Sequence, residues 1–409
     1  MSKKLKKNVP VLRFPEFEGA WETKNISDIC TRISDGIHST PEYSQQGEFY
    51  FINGNNLINS KIEISENTKR VDYSESLKYA SDLNSQTILI SINGTIGNLA
   101  FYENEKVILG KSACYLNLKP EKNKIFIFYL LQTSTTRNHF NRELTGSTIK
   151  NLSLTTIKNT EVYLPLIAEQ EKIASFLGAV DTRLNQLRRK REHLQTYKRG
   201  VMQKLFSQQI CFTQPDGSPF PDWEKKKLGN ISEKPQYGLA ASAIKFDGKH
   251  KYIRITDIDD NTHGFTPNPL TSPDSGISPD YQLQDNDLVL ARTGATVGKS
   301  YLYKKEDGEI YFAGYLIRFR ITKAHANFVY YLTLTDKYYK WVIMNSMRSG
   351  QPGINAEEYS NFSFFLPCKK EQEKIANFLT IIDRKIEILS CQIDQTEQFK
   401  KGLLQKLFV

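Results

Sequence analysis

Cysteine is scarce in this 409-residue sequence, and long apolar runs are missing. The five cysteines, at positions 30, 114, 211, 368 and 391, stand singly, so neither a disulfide framework nor a structural metal site is predicted. No apolar stretch reaches about 18 residues, and no apolar run of signal length follows the basic N-terminus. We therefore expect a cytoplasmic protein that is neither secreted nor membrane-spanning.

Motifs of catalysis are also missing. The chain has no GxSxG, HExxH or dinucleotide-binding GxGxxG motif, and no Asn/Asp-Pro-Pro-Tyr/Phe motif of amino-methyltransferases. Residues 292–300, RTGATVGKS, look like a phosphate-binding loop, but Thr293 stands where its first glycine is needed. Residues 257–261 begin like a calcium loop, but Thr262 replaces the glycine of its sharp turn. We predict a non-catalytic chain without a metal or cofactor of its own, although catalytic groups that converge from distant positions would leave no such motif.

The composition favours a folded protein with an anionic partner. Hydrophobic residues make up 39% of the chain and aromatic residues 11%, which is enough to form cores in about two to four domains. The net charge is +10 and the isoelectric point is near 9.1. Such a charge favours nucleic acid, because binding releases counterions from the phosphates.

One stretch of the sequence occurs twice. Residues 165–207 begin PLIAEQEKIASFL, and residues 367–408 begin PCKKEQEKIANFL, at an offset of 202 (367 minus 165) that continues without an insertion. The same offset relates Trp21 to Trp223, near the start of each half. Each copy begins with a proline, where a strand can end and a helix begin.

Both copies have apolar residues at alternating spacings of three and four, which are typical of a coiled coil. About 39 helical residues span ~58 Å, which suits a spacer better than the alternative, an ordinary core helix. Arg191 interrupts the first seam where the second has Ile393, and Thr396 weakens the second where the first has Leu194, so we expect the copies to pair. The predicted helix-pairing residues are Ile173, Leu177, Val180, Leu184, Leu187 and Leu194, with Ile375, Leu379, Ile382, Ile386, Leu389 and Ile393.

Each long helix follows a segment of strand-like runs, turns and short helical stretches, so each half is predicted to hold an α+β domain. The predicted boundaries are 1–164 and 210–366 for the two domains, and 165–209 and 367–409 for the long helices. Exposed residues differ between the halves, which either two different targets or drift after duplication would produce.

Several turns carry side chains that suit DNA. Arginine and glutamine pair with guanine and adenine edges, and hydroxyl and amide groups bind bases or phosphates, although the same residues also cap helices or lie in solvated loops. Residues 182–204 of the first long helix carry a net charge of +7 (eight Lys or Arg against Glu192), typical of a solvated face or a phosphate contact. The DNA-binding candidates are His38, Ser39 and Thr40 in SDGIHSTP, Asn53, Asn55, Asn93, Thr95, Thr148, Lys150, Arg254, Arg292, Thr293, Arg348 and Gln351 in other turns, and Arg188 and Arg189 on the helix.

The duplicated EQEKIA stretches, the paired KRGVMQKLF and KKGLLQKLF endings, and the SDGIHSTP, NGTIG and RTGATVGK turns resemble the specificity subunits of type I restriction-modification systems. The resemblance covers essentially the whole chain. It implies two similar target-recognition domains separated by two long antiparallel coiled-coil helices, with an internal two-fold pseudo-repeat. It further implies double-stranded DNA as a partner, read as an interrupted site, together with two methyltransferase subunits that use S-adenosylmethionine and restriction subunits that use ATP and Mg.

Two other function classes stay open at this stage. A nuclease or methyltransferase with unrecognised catalytic residues would show activity or cofactor binding in the purified chain. A coiled-coil scaffold without DNA specificity would show no salt-sensitive DNA binding once its partners are added.

Overall fold

The structure, a computed structural model, describes residues 8–79, 81–146, 150–347 and 350–409. The chain divides into two compact units. Unit 1 holds Met1–Arg188 and Cys391–Val409, and unit 2 holds Arg189–Ser390. Each unit therefore contains one globular part and a portion of both long helices. These units cut through the long helices, whereas the predicted boundaries follow the sequence repeat, so those boundaries stay a prediction.

The globular part of unit 1 mixes short strands and helices. Its strands are β1 Glu22–Asn25, β2 Cys30–Asp35, β3 Phe49–Ile52, β4 Leu57–Ile58, β5 Lys61–Ile62, β6 Arg70–Val71, β7 Thr87–Ser91, β8 Leu99–Phe101, β9 Val107–Leu109, β10 Ala113–Leu118 and β11 Glu161–Leu164. Its helices are α1 Ile26–Ile29, α2 Tyr73–Ser76, α3 Lys124–Gln132, α4 Ser134–Arg142 and α5 Leu154–Asn159, and α6 Ile167–Phe206 is the first long helix.

A four-stranded antiparallel sheet with the order β2-β10-β7-β8 forms the centre of unit 1. Every residue of β7 and β10 is buried, as expected for continuous apolar runs covered on both faces. A second sheet pairs β3 with β9 in parallel and with β6 in antiparallel fashion. The α3 helix packs its aromatic residues into the main core, in which Phe126 and Phe128 are fully or almost fully buried.

Unit 2 repeats this arrangement. Its strands are β12 Glu224–Lys227, β13 Gln236–Tyr237, β14 Ala243–Lys245, β15 Lys251–Ile253, β16 Thr271–Pro273, β17 Asp287–Ala291, β18 Ser300–Leu302, β19 Ile310–Phe312, β20 Leu316–Arg320 and β21 Ser363–Leu366. Its helices are α7 Leu228–Ile231, α8 Ala326–Leu332, α9 Asp336–Ser346 and α10 Ala356–Ser360, and α11 Lys369–Lys406 is the second long helix.

The sheet order β13-β20-β17-β18 in unit 2 matches β2-β10-β7-β8 in unit 1. The parallel pair β15 and β19 likewise matches β3 and β9. An ion pair links β17 and β20 of unit 2, since Arg320 makes two bonds of 2.8 and 3.0 Å to the carboxylate of Asp287, a residue with no exposed surface. The predicted α+β class and internal repeat are confirmed.

The long helices begin where their prolines predict. Strand β11 ends at Leu164 and α6 begins at Ile167, while β21 ends at Leu366 and α11 begins at Lys369. The helices run antiparallel within each unit. In unit 1, Lys400 pairs with Asp181 and Arg188 with the earlier Glu397, so the numbering falls along α11 as it rises along α6.

The apolar residues of the two seams pack between the long helices within each unit. In unit 1, Ile173 and Leu177 share a core with Leu403 and Leu407, and in unit 2, Met202 and Leu205 share one with Ile375. Of the predicted pairing residues, Ile173, Leu177, Leu184, Leu187, Ile375, Leu379, Ile382, Ile386, Leu389 and Ile393 are buried, and Val180 and Leu194 are partly buried. Each fully buried side chain of this size contributes roughly 1.5–3 kcal/mol. In the described ranges, no helix is both long and apolar enough to span a membrane.

Candidate nucleic-acid interface

In unit 1 the SDGIHSTP turn is held against the end of β9. The backbone N–H of Gly36 donates to Ala113 at 3.0 Å, and that of Ile37 donates to Leu109 at 2.7 Å. A Cβ atom on Gly36 would overlap the backbone carbonyl of Leu109. Glycine is therefore required here by the close approach of two backbones.

Ser112 connects two further turns to the same place. Its hydroxyl donates to Asn53 Oδ1 at 2.9 Å and accepts from the Gly54 N–H at 2.8 Å. The hydroxyl of Thr95 donates to the Gly54 carbonyl at 3.1 Å. The candidates Asn53 and Thr95 thus lie in one network, in which the amide oxygen of Asn53 already serves the protein.

The turn after β7 joins this network to the segment before α5. The Ile92 N–H donates to the Ser112 carbonyl at 2.9 Å, and the Leu152 N–H donates to the Ile92 carbonyl at 2.9 Å. Asn93 forms a bridge with Asn151. The structure therefore brings together turns that lie near residues 36, 54, 93, 112 and 151 of unit 1.

Unit 2 repeats this hydrogen-bonding frame with different side chains. The Arg292 N–H donates to Tyr315 at 3.0 Å, and the Ile354 N–H donates to Arg292 at 2.9 Å, so Arg292 takes the place of Ile92 and Tyr315 that of Ser112. Tyr237 lies 202 residues after Asp35 (237 minus 35) and precedes Gly238, whose Cβ would overlap the Ala313 carbonyl. A buried isoleucine and a serine are thus replaced by an arginine and an exposed tyrosine.

Around the turn at Arg292, unit 2 brings together five residues that we call the Arg292 cluster: Tyr237, Arg292, Thr293, Tyr315 and Gln351. The guanidinium carbon of Arg292 lies over the ring of Tyr237, 4.9 Å from the ring centroid, within the range of a cation–π contact. Tyr237 is 40% exposed and Tyr315 is 66% exposed. A Cβ on Gly294 would lie 3.2 Å from Gln351 Nε2, which places the amide against this turn. The cluster offers an arginine fork, an amide and two aromatic rings to a ligand.

A groove of about 500 Å³ opens beside the same turn. Its walls include Val297, Val342 and Met347, and its polar groups include Lys299 and His263. Lys299 Nζ binds Asp260 Oδ1 at 2.6 Å. Burial lowers the pKa of His263 below its usual value, so its imidazole is neutral at pH 7. Among the described residues, the groove thus has apolar walls and one lysine cation, which a carboxylate already pairs.

The other candidates are spread more widely. His38 Nε2 lies 2.9 Å from Asp35 Oδ2 with most of its ring exposed, and Ser39, Thr40, Asn55 and Lys150 are exposed. Thr148 and Arg348 lie outside the described residues.

The three remaining arginine candidates differ in how they are bound. Arg254 Nε and Nη2 donate to the carboxylate of Asp257, at 2.9 and 2.8 Å, and Asp257 is 1% exposed, so this arginine holds its own turn. Arg188 pairs with Glu397, and Arg189 is exposed.

Sequence reasoning did not select Tyr237, Tyr315 or Ser112. The offset of 202 could have indicated Tyr237, because QYGLAAS begins 202 residues after SDGIHST. Tyr315 and Ser112 lie at an offset of 203, so a search at the fixed offset misses them.

The chain matches the family model of the type I restriction modification DNA specificity domain twice, over residues 18–195 and 221–398. The chain belongs to this family. It is 26% identical to the MjaVIII specificity subunit of a type I restriction enzyme from Methanocaldococcus jannaschii, over 74% of this chain and 75% of that one. It is 23% identical to the StySPI specificity subunit from Salmonella potsdam, over 95% of this chain and 86% of that one.

The fold has a solved relative in the S subunit of the type I restriction-modification system of M. genitalium. The TM-score is 0.59 at 18% identity, with 98% of this chain and 99% of that chain covered. The two matches to the family model coincide with the two halves of the repeat. The prediction of a DNA specificity subunit, rather than a catalytic one, is confirmed.

Proposed function

We propose that this specificity subunit binds double-stranded DNA as an interrupted site, with each globular part reading one half of it. Two methyltransferase subunits, which supply S-adenosylmethionine, and restriction subunits, which supply ATP and Mg, act at the site that the chain selects. The predicted boundaries at 164, 209 and 366 separate the two target-recognition domains from the two long helices.

One observation carries this proposal. The two halves keep the same backbone hydrogen bonds around the turn at Ile92 and Arg292, while the side chains that this frame presents differ in charge and size. A shared frame with exchanged side chains suits two domains that bind the same polymer and read different bases. The net charge of +10 supports an anionic partner.

The bases are read by a subset of the candidates. In unit 2 these are Arg292, Thr293 and Gln351, because an arginine fork and an amide make paired hydrogen bonds to guanine and adenine in the major groove. In unit 1 they are Asn93 and Thr95 with the exposed His38, Ser39 and Thr40. Arg188, Arg189 and Lys150 suit phosphates, which set position without reading sequence.

The test compares the purified chain with the chain assembled with its methyltransferase partners. The isolated chain is expected neither to methylate nor to cleave DNA, and the assembly is expected to methylate adenine at one interrupted motif across a genome. Binding should weaken steeply between about 50 and 200 mM salt. Activity of the isolated chain after rigorous purification would point to an enzyme. Salt-insensitive assembly without sequence preference would point to a scaffold.

A further inference from the structure

The two units contain the same three-residue polar contact where each globular part meets the long helices. In unit 1, the hydroxyl of Tyr129, on α3, donates to Asp181 Oδ2 at 2.7 Å. Lys400, on α11, binds the two oxygens of that carboxylate at 2.7 and 2.9 Å. The Lys400 ammonium also lies 5.2 Å from the Tyr129 ring centroid. One carboxylate thus joins a globular helix and both long helices.

In unit 2, the hydroxyl of Tyr331, on α8, donates to Asp383 Oδ2 at 2.8 Å. Lys198, on α6, binds Asp383 Oδ1 at 2.6 Å and lies 5.1 Å from the Tyr331 ring centroid. All three residues lie at the offset of 202 from those of unit 1, with the two lysines exchanged between the helices. We call these contacts the Tyr-Asp-Lys triads.

The charged side chains of the triads are partly buried, so water weakens their attraction less than it would at an exposed surface. The lysine side chains are 17% and 18% exposed and the aspartates 30% and 29%. Burial and the neighbouring carboxylate raise the pKa values of Tyr129 and Tyr331 well above the usual value, so both hydroxyls remain donors. Polar pairs inside an otherwise apolar seam stabilise it less than leucine would, but they are satisfied in few alignments.

The charge order permits one orientation. Asp181 and Lys198 are 17 residues apart on α6 (198 minus 181), and Asp383 and Lys400 are 17 apart on α11 (400 minus 383). Antiparallel helices with equal spacings can form both Asp-Lys pairs in a single register. In a parallel register the repeat would place aspartate against aspartate and lysine against lysine. A slip of one heptad would separate each pair by about 10 Å.

We propose that the Tyr-Asp-Lys triads are positioning residues that select the antiparallel register of the long helices and hold each globular part at one place along them. The apolar seam supplies most of the stability of the pairing. It does not select one alignment, because heptad repeats are compatible with several registers. The triads supply the choice among those registers. The gap between the two half-sites then depends on the four charged side chains of the triads, a consequence that rests on the proposed function.

The first experiment needs no DNA and uses the full-length chain. Lys198→Glu with Lys400→Glu places a carboxylate against each aspartate and is expected to lower the thermal midpoint by about 5 °C. Adding Asp181→Lys and Asp383→Lys restores opposite charges, and the midpoint should return most of the way to that of the parent. The matched control, Lys190→Glu with Lys385→Glu, reverses one exposed cation on each helix and should shift the midpoint by less than about 2 °C.

Recovery of the thermal midpoint in the variant with all four substitutions supports the proposal even if the variant with the two lysine substitutions does not fold. The proposal is overturned if the two-substitution variant melts at the midpoint of the parent, or if the four-substitution variant is no more stable than the two-substitution variant.

The second experiment measures register in the assembled complex. Lys198→Met with Lys400→Met keeps most of each lysine stem and removes its charge. Methylated motifs across a genome should then keep both half-site sequences and include additional gap lengths. An active variant with the parental gap alone overturns the role in register. If the parent complex methylates no specific motif, the proposed function fails, while the melting experiment still decides whether the triads select the pairing.

Discussion

Arg292→Ala should relax the reading of one half-site and leave the other unchanged. In the described part of the chain, Arg292 forms no ion pair, and its guanidinium lies over the exposed ring of Tyr237. An arginine fork that forms no ion pair is suited to a guanine edge. The substitution removes the fork and leaves the backbone bonds of residue 292 in place, because these belong to its N–H and carbonyl groups.

The expected magnitude follows from these contacts. A paired arginine-guanine contact contributes about 1–3 kcal/mol of discrimination, or roughly 5- to 150-fold between bases. The lost cation–π contact with Tyr237 should lower the free energy of unfolding by about 0.5–1 kcal/mol. Arg254→Ala is the matched control, because the Arg254 fork is bound to buried Asp257. It should lower the free energy of unfolding by about 1–3 kcal/mol and leave base preference unchanged.

The assay is methylation of a plasmid library with either half-site randomised, by complexes that differ only in this chain. Arg292→Ala should broaden one position of one half-site, and Arg254→Ala should broaden none. An unchanged motif with Arg292→Ala, or equal broadening with both variants, would refute the assignment of Arg292 to base reading.

Two further predictions concern the long helices. A chain that ends at Gln209 should dimerise and direct methylation to a symmetric interrupted site, because Lys198 of a second copy can take the place of Lys400 on Asp181. The dimer should be weaker than the native pairing, since Glu397 and Ile393 are replaced by Gln195 and Arg191, and a stable monomer or an asymmetric site would contradict the prediction. Duplication of Gln186-Leu187-Arg188-Arg189 should lengthen α6 by ~6 Å and increase the gap by about one or two base pairs, with both half-sites unchanged. An active insertion variant with the parental gap would show that the helices do not set the spacing.

The long helices could be predicted from the sequence because their signals are local and periodic. Heptad spacing and the prolines at residues 165 and 367 are features of a few helical turns, and the constant offset shows that the second long helix repeats the first. The α+β class followed from similar local patterns, such as the buried run of β17 between turn residues. Burial of ten of the twelve selected seam positions agrees with the same periodic rule.

The Arg292 cluster could not be assembled from the sequence in the same way. Tyr237 and Arg292 are separated by 55 residues (292 minus 237) and meet because β20 pairs with both β13 and β17. The equivalent position in unit 1, Ile92, lies at an offset of 200 (292 minus 92), so the repeat loses register in these loops. The sequence also does not show which arginine is already paired. Asp257 binds Arg254, whereas Arg292 forms no ion pair with a described residue.

The contacts near the tryptophan at the start of each half show that some differences between the units serve the folded protein itself. Glu169 and Glu371 occupy equal positions and are 1% and 2% exposed, so each needs a donor. Arg13 binds Glu169 with two bonds of 2.7 and 2.8 Å, and Trp21 Nε1 has no hydrogen-bond partner among the described residues. Trp223 Nε1 instead donates to Glu371 at 3.0 Å.

A buried carboxylate can thus be satisfied by different donors, and the requirement comes from the protein itself. At Ile92 and Arg292 the backbone requirement is likewise the same, and both units satisfy it with the same bonds. Among the described residues Arg292 forms no ion pair, and its guanidinium lies over an exposed ring. The side chain at residue 292 can therefore change between the units without breaking the backbone bonds of the turn, as the proposed base-reading role requires.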